Sequence, residues 1–189
     1  MKEELVQEIN QDGSTTGKIL EREQARREGK RMKGCSCFVV QKDTKEILIE
    51  TRQKGIRDSG MIDLCSGHVR AGETSTQGMV RELEEELGLP IEETSNIQFL
   101  GSYPVDFSKQ GKVGNYLVDF YYLITPKKVS DFILQQEEVE KVEYVSLDTL
   151  IQMQKEQITR VKYEEGMDSI YQKLKFAILE RNRQQDQRE

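Results

Sequence analysis

Residues 67 to 89 read GHVRAGETSTQGMVRELEEELGL, a loop feeding a run with four acids in five positions, Glu82, Glu84, Glu85 and Glu86. On a helix of about 100° per residue with Met79 at zero, Val80, Leu83 and Leu87 fall within about the first 100° and form with Met79 one apolar stripe. Glu82, Glu85 and Glu86 fall between about 240° and 340°, a separate carboxylate face of i, i+3, i+4 neighbours. Like charges at that spacing repel by a few tenths of a kcal/mol per pair, or raise one another's pKa, unless a cation sits among them. Hard oxygen ligands of this kind suit Mg2+ or Mn2+, the ions that accompany diphosphates. Glu84, at about 140°, points into solvent. Thr74 with Gln77 can form a capping box that starts the helix after Glu73, and Gly88 ends it. Gly78 costs roughly 1 kcal/mol inside a helix, which a close approach to another backbone explains.

The whole chain bounds what this stretch can belong to. At 189 residues it suits one domain with extensions at its ends. A formal charge of -6, from 34 acids and 28 bases, argues against a nonspecific nucleic-acid binder and fits a site filled by cations. Cys35, Cys37 and Cys65 are an odd number of thiols in a chain too large to need stapling, and read as free thiols of a reducing compartment. The first eight residues carry no apolar run, and no stretch approaches the roughly 20 apolar residues of a membrane span. A cytoplasmic protein without a membrane partner is expected. His68, the single histidine, cannot build a histidine metal site by itself.

Outward from the helix, residues 4–9 and 15–20 flank an Asp-Gly turn and suggest a hairpin. Residues 21–33 alternate acids and bases, a short solvated helix ending near Gly29. Residues 35–40 and 46–50 read as the first two core strands, joined by a turn. Arg52, Lys54 and Arg57 follow at the mouth of the next loop, where Arg52 is a candidate for phosphate oxygens. Residues 61–65 are a short apolar run leading into the loop. Residues 97–107 and 115–124, aromatic and β-branched, form an antiparallel pair across the polar stretch 108–114, with Phe107 or Tyr116 placed to stack on a base or ring. Acids at Glu137, Glu138 and Glu140 precede a short strand at 142–145, and Ser146 starts a helix to about Lys155. Met167, Ile170, Tyr171, Leu174, Ala177 and Ile178 repeat at helical spacing before a polar tail that frays. The division is an N-terminal hairpin and short helix at 1–33, a core at 34–165, and a packed C-terminal helix at 166–189.

Gly67, Glu73, Arg81-Glu82-Leu83, Glu85-Glu86 and Gly88-Leu89 stand at the spacing of the signature of the Nudix hydrolases, which this chain resembles. Seven fixed residue types and two aliphatic ones should coincide by accident on the order of once per million such chains, so a plain glutamate-rich surface helix is the weaker reading. The resemblance implies an α/β/α sandwich with a mixed sheet and hydrolysis of a nucleoside diphosphate linked to another group. It implies divalent cations on Glu82, Glu85, Glu86 and the Ser66 carbonyl, with Arg81 and Glu73 orienting that set. A base must take the proton of the attacking water. Relatives place it on the helix or in a later loop, where Glu138 is the candidate here and Glu137 and Glu140 are its neighbours. A small-molecule diphosphate is the implied partner, and a homodimer is one assembly the resemblance allows.

The Asp-Gly turn, the Arg-rich segment and the loop SGHVRAGE, residues 66–73, are also similar to the branch containing isopentenyl diphosphate isomerases. Those enzymes use a histidine-rich metal site and a catalytic cysteine near the Gly-His pair. This chain has only His68, read as a loop residue near the site, and Cys65 lies one residue farther from Gly67. The alternatives to hydrolysis are therefore that isomerisation or a nucleotide-sensing domain without turnover. The substrate itself is not legible, because selectivity lies in loops such as 52–62, 103–115 and 125–140.

Overall fold

In this computed structural model, which describes residues 4–106, 114–162 and 164–186, the Asp-Gly turn joins strands β1 (Leu5–Ile9) and β2 (Thr15–Glu21) as an antiparallel hairpin. The short helix α1 (Arg22–Arg27) leads to β3 (Met32–Gln41), β4 (Ile47–Arg52), β5 (Ile62–Asp63) and β6 (Cys65–His68). Then come α2 (Ser75–Leu87), α3 (Ile91–Thr94), β7 (Gln98–Asp106), β8 (Asn115–Thr125), β9 (Val139–Val145), α4 (Leu147–Lys155) and α5 (Asp168–Asp186).

The sheet is assembled around β3. One of its edges runs parallel to β8 from Met32 opposite Tyr116 to Gln41 opposite Thr125. Its other edge is shared: Met32 faces β1, Gly34 to Cys37 face β6, and Val40 faces β4. β7 adds antiparallel to β8, while β4 lies between β5 and β9, so the sheet is mixed. Because side chains alternate along a strand, Phe38 and Val40 enter one core with Phe120, Leu150, Ile170 and Leu174. Cys35, Cys37 and Val39 enter the other with Met79, Leu83 and Leu87. Helices thus cover both faces, the expected α/β/α sandwich, and a central strand buried on both sides reads as a continuous apolar run.

The described parts of the N-terminal hairpin and of α5 pack on this frame. The Ala71 amide donates to the Leu5 carbonyl (2.8 Å), tying the hairpin to the loop before α2. On α5, Met167, Ile170, Tyr171, Leu174 and Ile178 are buried and Ala177 half-buried. The backbone is helical to Asp186, and the expectation of a frayed tail falls on side chains and residues outside the description. Phe107 and residues 108–113 also lie outside it.

Three local expectations change. Residues 65–68 form a strand paired with β3 rather than a loop, because β3 has an open edge there to satisfy their backbone groups. The run 61–65 divides into two short strands on different partners, β5 on β4 and β6 on β3. Val80 is half-buried, outside the cluster that holds Met79, Leu83 and Leu87. Cys35, Cys37 and Cys65 are free and buried. Among the described residues no helix is long and apolar enough to cross a membrane.

Gly88 closes α2 in the left-handed region (φ 64°), and a Cβ there would lie 2.7 Å from Cβ of Ile133. Gly88→Ala therefore meets both a backbone penalty and a clash. A loss of about 2 kcal/mol, read as a lower urea midpoint at unchanged slope, is expected.

Candidate active site

Local chemistry fixes where α2 begins. The Thr74 hydroxyl accepts from the Gln77 amide (3.2 Å) and the Gln77 side chain accepts from the Thr74 amide (2.8 Å), the expected capping box. At Gly78 an added Cβ would sit 3.5 Å from Cα of Val69, so the helix does pass close to another backbone. The apolar stripe then fixes the helix's rotation, and that rotation turns the acids toward β6.

The acids do not share one solvated face. Glu82 and Glu86 are buried at 8% and 3% exposure, Glu85 is exposed, and Glu84 is solvated as expected. Glu86 accepts from the Ser66 amide at 3.1 Å. In a strand a residue's amide and carbonyl point to the same edge, so the Ser66 carbonyl also faces Glu86. Glu82 lies across Gly67, where a Cβ would fall 1.9 Å from its Oε1. Only glycine leaves that space.

Arg81 binds the set together. Its Nε donates to Glu73 (2.9 Å), its Nη1 to Glu82 (2.7 Å) and Glu85 (3.0 Å), and its Nη2 to Glu73 (3.2 Å) and the His68 carbonyl (2.9 Å). Burial acts against the charge of Glu73, but the Arg81 hydrogen bond and the Arg70 amide hold its carboxyl below the ordinary range. Arg70 pairs with Glu85 (3.5 Å) and with Glu4 of the N-terminal segment (3.5 Å).

The other residues singled out in the sequence are placed as follows. The His68 ring accepts at Nδ1 from the Arg22 guanidinium (3.3 Å), and its Nε2 shares a hydrogen bond with the Tyr116 hydroxyl (3.0 Å), so both nitrogens are engaged. Tyr116 itself is buried. Arg52 donates to the Arg57 carbonyl (3.1 Å) and stands 3.9 Å from Asp63. Glu138 has an exposed side chain, accepts from the Gln53 amide through its carbonyl (2.8 Å), and is near enough to Glu50 to raise its pKa. Glu137 is exposed, and Glu140 pairs with Lys54 at 3.4 Å.

Sequence reasoning passed over three residues here. Glu50 sits on β4 directly opposite Asp63 of β5, and both are buried. A carboxylate oxygen of Glu50, one of Glu86 and the Cys65 sulfur lie within 4.8 Å of one another. Asp63 accepts from Arg160 (2.9 Å) and from the Ser66 hydroxyl (3.2 Å). A signal for Glu50 existed, since alternation puts it on the same face as Leu48, toward α2. Arg160 comes from an aperiodic segment after α4 and had none.

These donors fit a divalent cation. The Glu50 and Glu86 oxygens are hard donors, converging and buried beside the Cys65 sulfur, and the Glu50 Oε1 has no hydrogen-bond partner among the described residues. Burial pushes Glu82 up to about 7 despite Arg81, and burial with the Asp63 charge pushes Glu50 up to about 8. Glu86 moves the same way through burial and the Glu50 charge. A carboxyl whose folded pKa exceeds its unfolded value binds protons better when folded, so this stability is full below about pH 4.5 and is lost as pH rises toward about 8. His68 has the opposite sign: burial and Arg22 hold its pKa well below 6.5, and its contribution is lost only as pH falls below that value. Metal-free protein should therefore melt lower at about pH 8.5 than at about pH 6.5, and Mg2+ or Mn2+ should reverse the loss. Equal melting temperatures at the two pH values would contradict the crowding of charge.

An α/β/α sandwich with carboxylates from a capped helix gathered against a sheet strand defines an acid-lined domain suited to divalent cations. The chain belongs to the Nudix family: the family model described as NUDIX domain matches residues 30–165. It is 31% identical over 151 residues to Nudix hydrolase 3 of Arabidopsis thaliana, covering 77% of this chain and 19% of that protein. It is 33% identical over 107 residues to an uncharacterized Nudix hydrolase of Listeria innocua, covering 56% of this chain and 58% of that one. The chain thus spans less than two thirds of either relative. In fold it is similar to the crystal structure of DR0079 from Deinococcus radiodurans, at 16% identity and a TM-score of 0.66 over 89% of this chain and 98% of that one. It is also similar to a MutT protein from Methanosarcina mazei, at 19% identity and a TM-score of 0.57 over 76% and 92%.

Proposed function

We propose that this chain is a pyrophosphohydrolase that cleaves a nucleoside diphosphate linked to another group, or a related diphosphate, by attack of water on phosphorus with Mg2+ or Mn2+. The observation that carries this reading is the carboxylate helix seated on β6, with Glu82 and Glu85 bonded to Arg81, which Glu73 also binds, and Glu86 accepting from the Ser66 amide. The carboxylates of Glu82, Glu85 and Glu86 and the Ser66 carbonyl would hold the cations, which when bound lower the pKa of water and offset charge on the departing phosphate.

The chain's own residues do the rest. Arg81 keeps like-charged carboxylates together and Glu73 fixes its guanidinium, so the acids are oriented before substrate arrives. Glu138 takes the proton of the attacking water, its side chain in solvent near the buried acids. Glu137 and Glu140 are its neighbours. His68 serves through its carbonyl, which holds Arg81, rather than through its ring. Arg52, beside Asp63, remains the candidate for substrate phosphate. A cleft of about 360 Å3 lined by Arg57, Met61, Tyr103, Arg160 and Lys162 offers space for the group beyond the diphosphate. The core at 34–165 carries the chemistry, flanked by the extensions 1–33 and 166–189, in the cytoplasm, where its three free thiols stay reduced.

An isomerase-like reaction gains nothing from Cys65, whose buried thiol is pushed well above its ordinary range by burial and by Glu86 and Glu50. Nucleoside triphosphates, nucleotide sugars, ADP-ribose, dinucleotide cofactors and non-nucleoside diphosphates with Mg2+ or Mn2+ form the test. Phosphate or nucleotide release from one class supports hydrolysis. Tight binding without release supports a sensor instead.

A further inference from the structure

Glu50 has no place in the signature, yet it is among the most confined charges described. It is 3% exposed and points from β4 toward α2, opposite Asp63. The two acids are treated differently. Asp63 has Arg160 at 2.9 Å and the Ser66 hydroxyl at 3.2 Å, and the Arg52 guanidinium stands 3.9 Å away, an ion-pair distance beyond hydrogen-bond reach. Glu50 Oε1 is buried with no hydrogen-bond partner among the described residues. Its close polar neighbours are a carboxylate oxygen of Glu86 and the sulfur of Cys65, all within 4.8 Å.

A like-charged pair directly across a sheet and a buried oxygen left unbonded are each unfavourable, and an apolar residue of similar volume would remove both. While both are ionised Glu86 cannot relieve Glu50, since its Oε2 already accepts from Ser66 and its own charge has the same sign. A cation between the two carboxylates relieves every one of these at once.

We propose that Glu50, a residue outside the signature helix, is a ligand of a divalent cation that it holds jointly with Glu86 between β4 and α2. This rests on the metal-dependent reading above and extends it. The helix then supplies one side of the seat and the sheet supplies the other, which makes the tightest cation a clamp between two layers of the fold.

The test is uptake of Mn2+ by the metal-free full chain, read from the electron paramagnetic resonance signal of free Mn2+, together with the rise in melting temperature that Mn2+ causes. Glu50→Gln is expected to lose one bound Mn2+ or to weaken the tightest site at least about tenfold. Its metal-free melting temperature should equal or exceed that of the wild type, with little further rise on adding Mn2+. Glu50→Met, apolar and close in volume, should behave alike and stands in if Glu50→Gln does not fold. Unchanged stoichiometry and affinity in either variant overturn the proposal. If Glu86→Gln loses Mn2+ while Glu50→Gln keeps it, this inference fails and the proposed function stands. A wild type that takes up no Mn2+ overturns both.

Discussion

Glu86→Gln is expected to abolish metal-dependent hydrolysis while leaving the fold intact. Glutamine keeps the shape and an oxygen that can accept from the Ser66 amide, the 3.1 Å contact that Glu86 makes to β6. It removes one charge from a buried group already raised by burial and by Glu50. Stability without metal should therefore hold or rise. Turnover should fall because charge stabilisation of several kcal/mol is withdrawn from the transition state, roughly a thousandfold at about 1.4 kcal/mol per decade. Glu85→Gln should lose turnover too, although Glu85 is exposed and also answers to Arg81 and Arg70. Wild-type turnover in either variant at saturating Mg2+ would sink the assignment of these acids to metal.

Replacing Arg81 should damage both fold and activity. Five hydrogen bonds leave this guanidinium, to three carboxylates and one carbonyl. Arg81→Ala strips the partner from Glu82, which is buried, and from Glu73, which is half-buried. Removing one member of a buried pair costs about 3–5 kcal/mol, and partial exposure of Glu73 and Glu85 reduces this to roughly 2–3. For a chain of this size that is about 5–10 °C in melting temperature. Arg81→Lys should recover little, because a single ammonium cannot span positions that a planar fork reaches together. As Arg81 acts through the acids it orients, the loss in Arg81→Lys should appear largely in the Mn2+ dissociation constant and be recovered in part at high Mn2+. A variant with wild-type stability and Mn2+ affinity would remove Arg81 from this role.

The hairpin, the paired strands β7 and β8, the capped helix α2 and the amphipathic α5 were all legible, because each is specified by local periodicity and end residues. Glu82, Glu85 and Glu86 were legible for the same reason, since helical spacing alone puts these acids on one side, whereas Arg81 and Glu73 came with the resemblance to the Nudix signature. What periodicity could not give was depth. The helix wheel treats Glu82, Glu85 and Glu86 as equivalent, whereas packing of Met79, Leu83 and Leu87 on the sheet buries two and exposes the third.

By itself, then, the sequence determined the carboxylate helix and the chemistry those acids invite, since these rest on spacing within a single element, and the α/β/α class followed from the family that this spacing resembles. Only the tertiary structure decided that residues 65–68 form a strand, that the His68 ring is engaged elsewhere, and that Glu50 and Asp63 join the site. Glu50 and Glu86 stand 36 positions apart in the chain. Their meeting depends on which strand takes the free edge of β3 and how α2 is rotated on the sheet, and both are settled by burying apolar surface that no local pattern records.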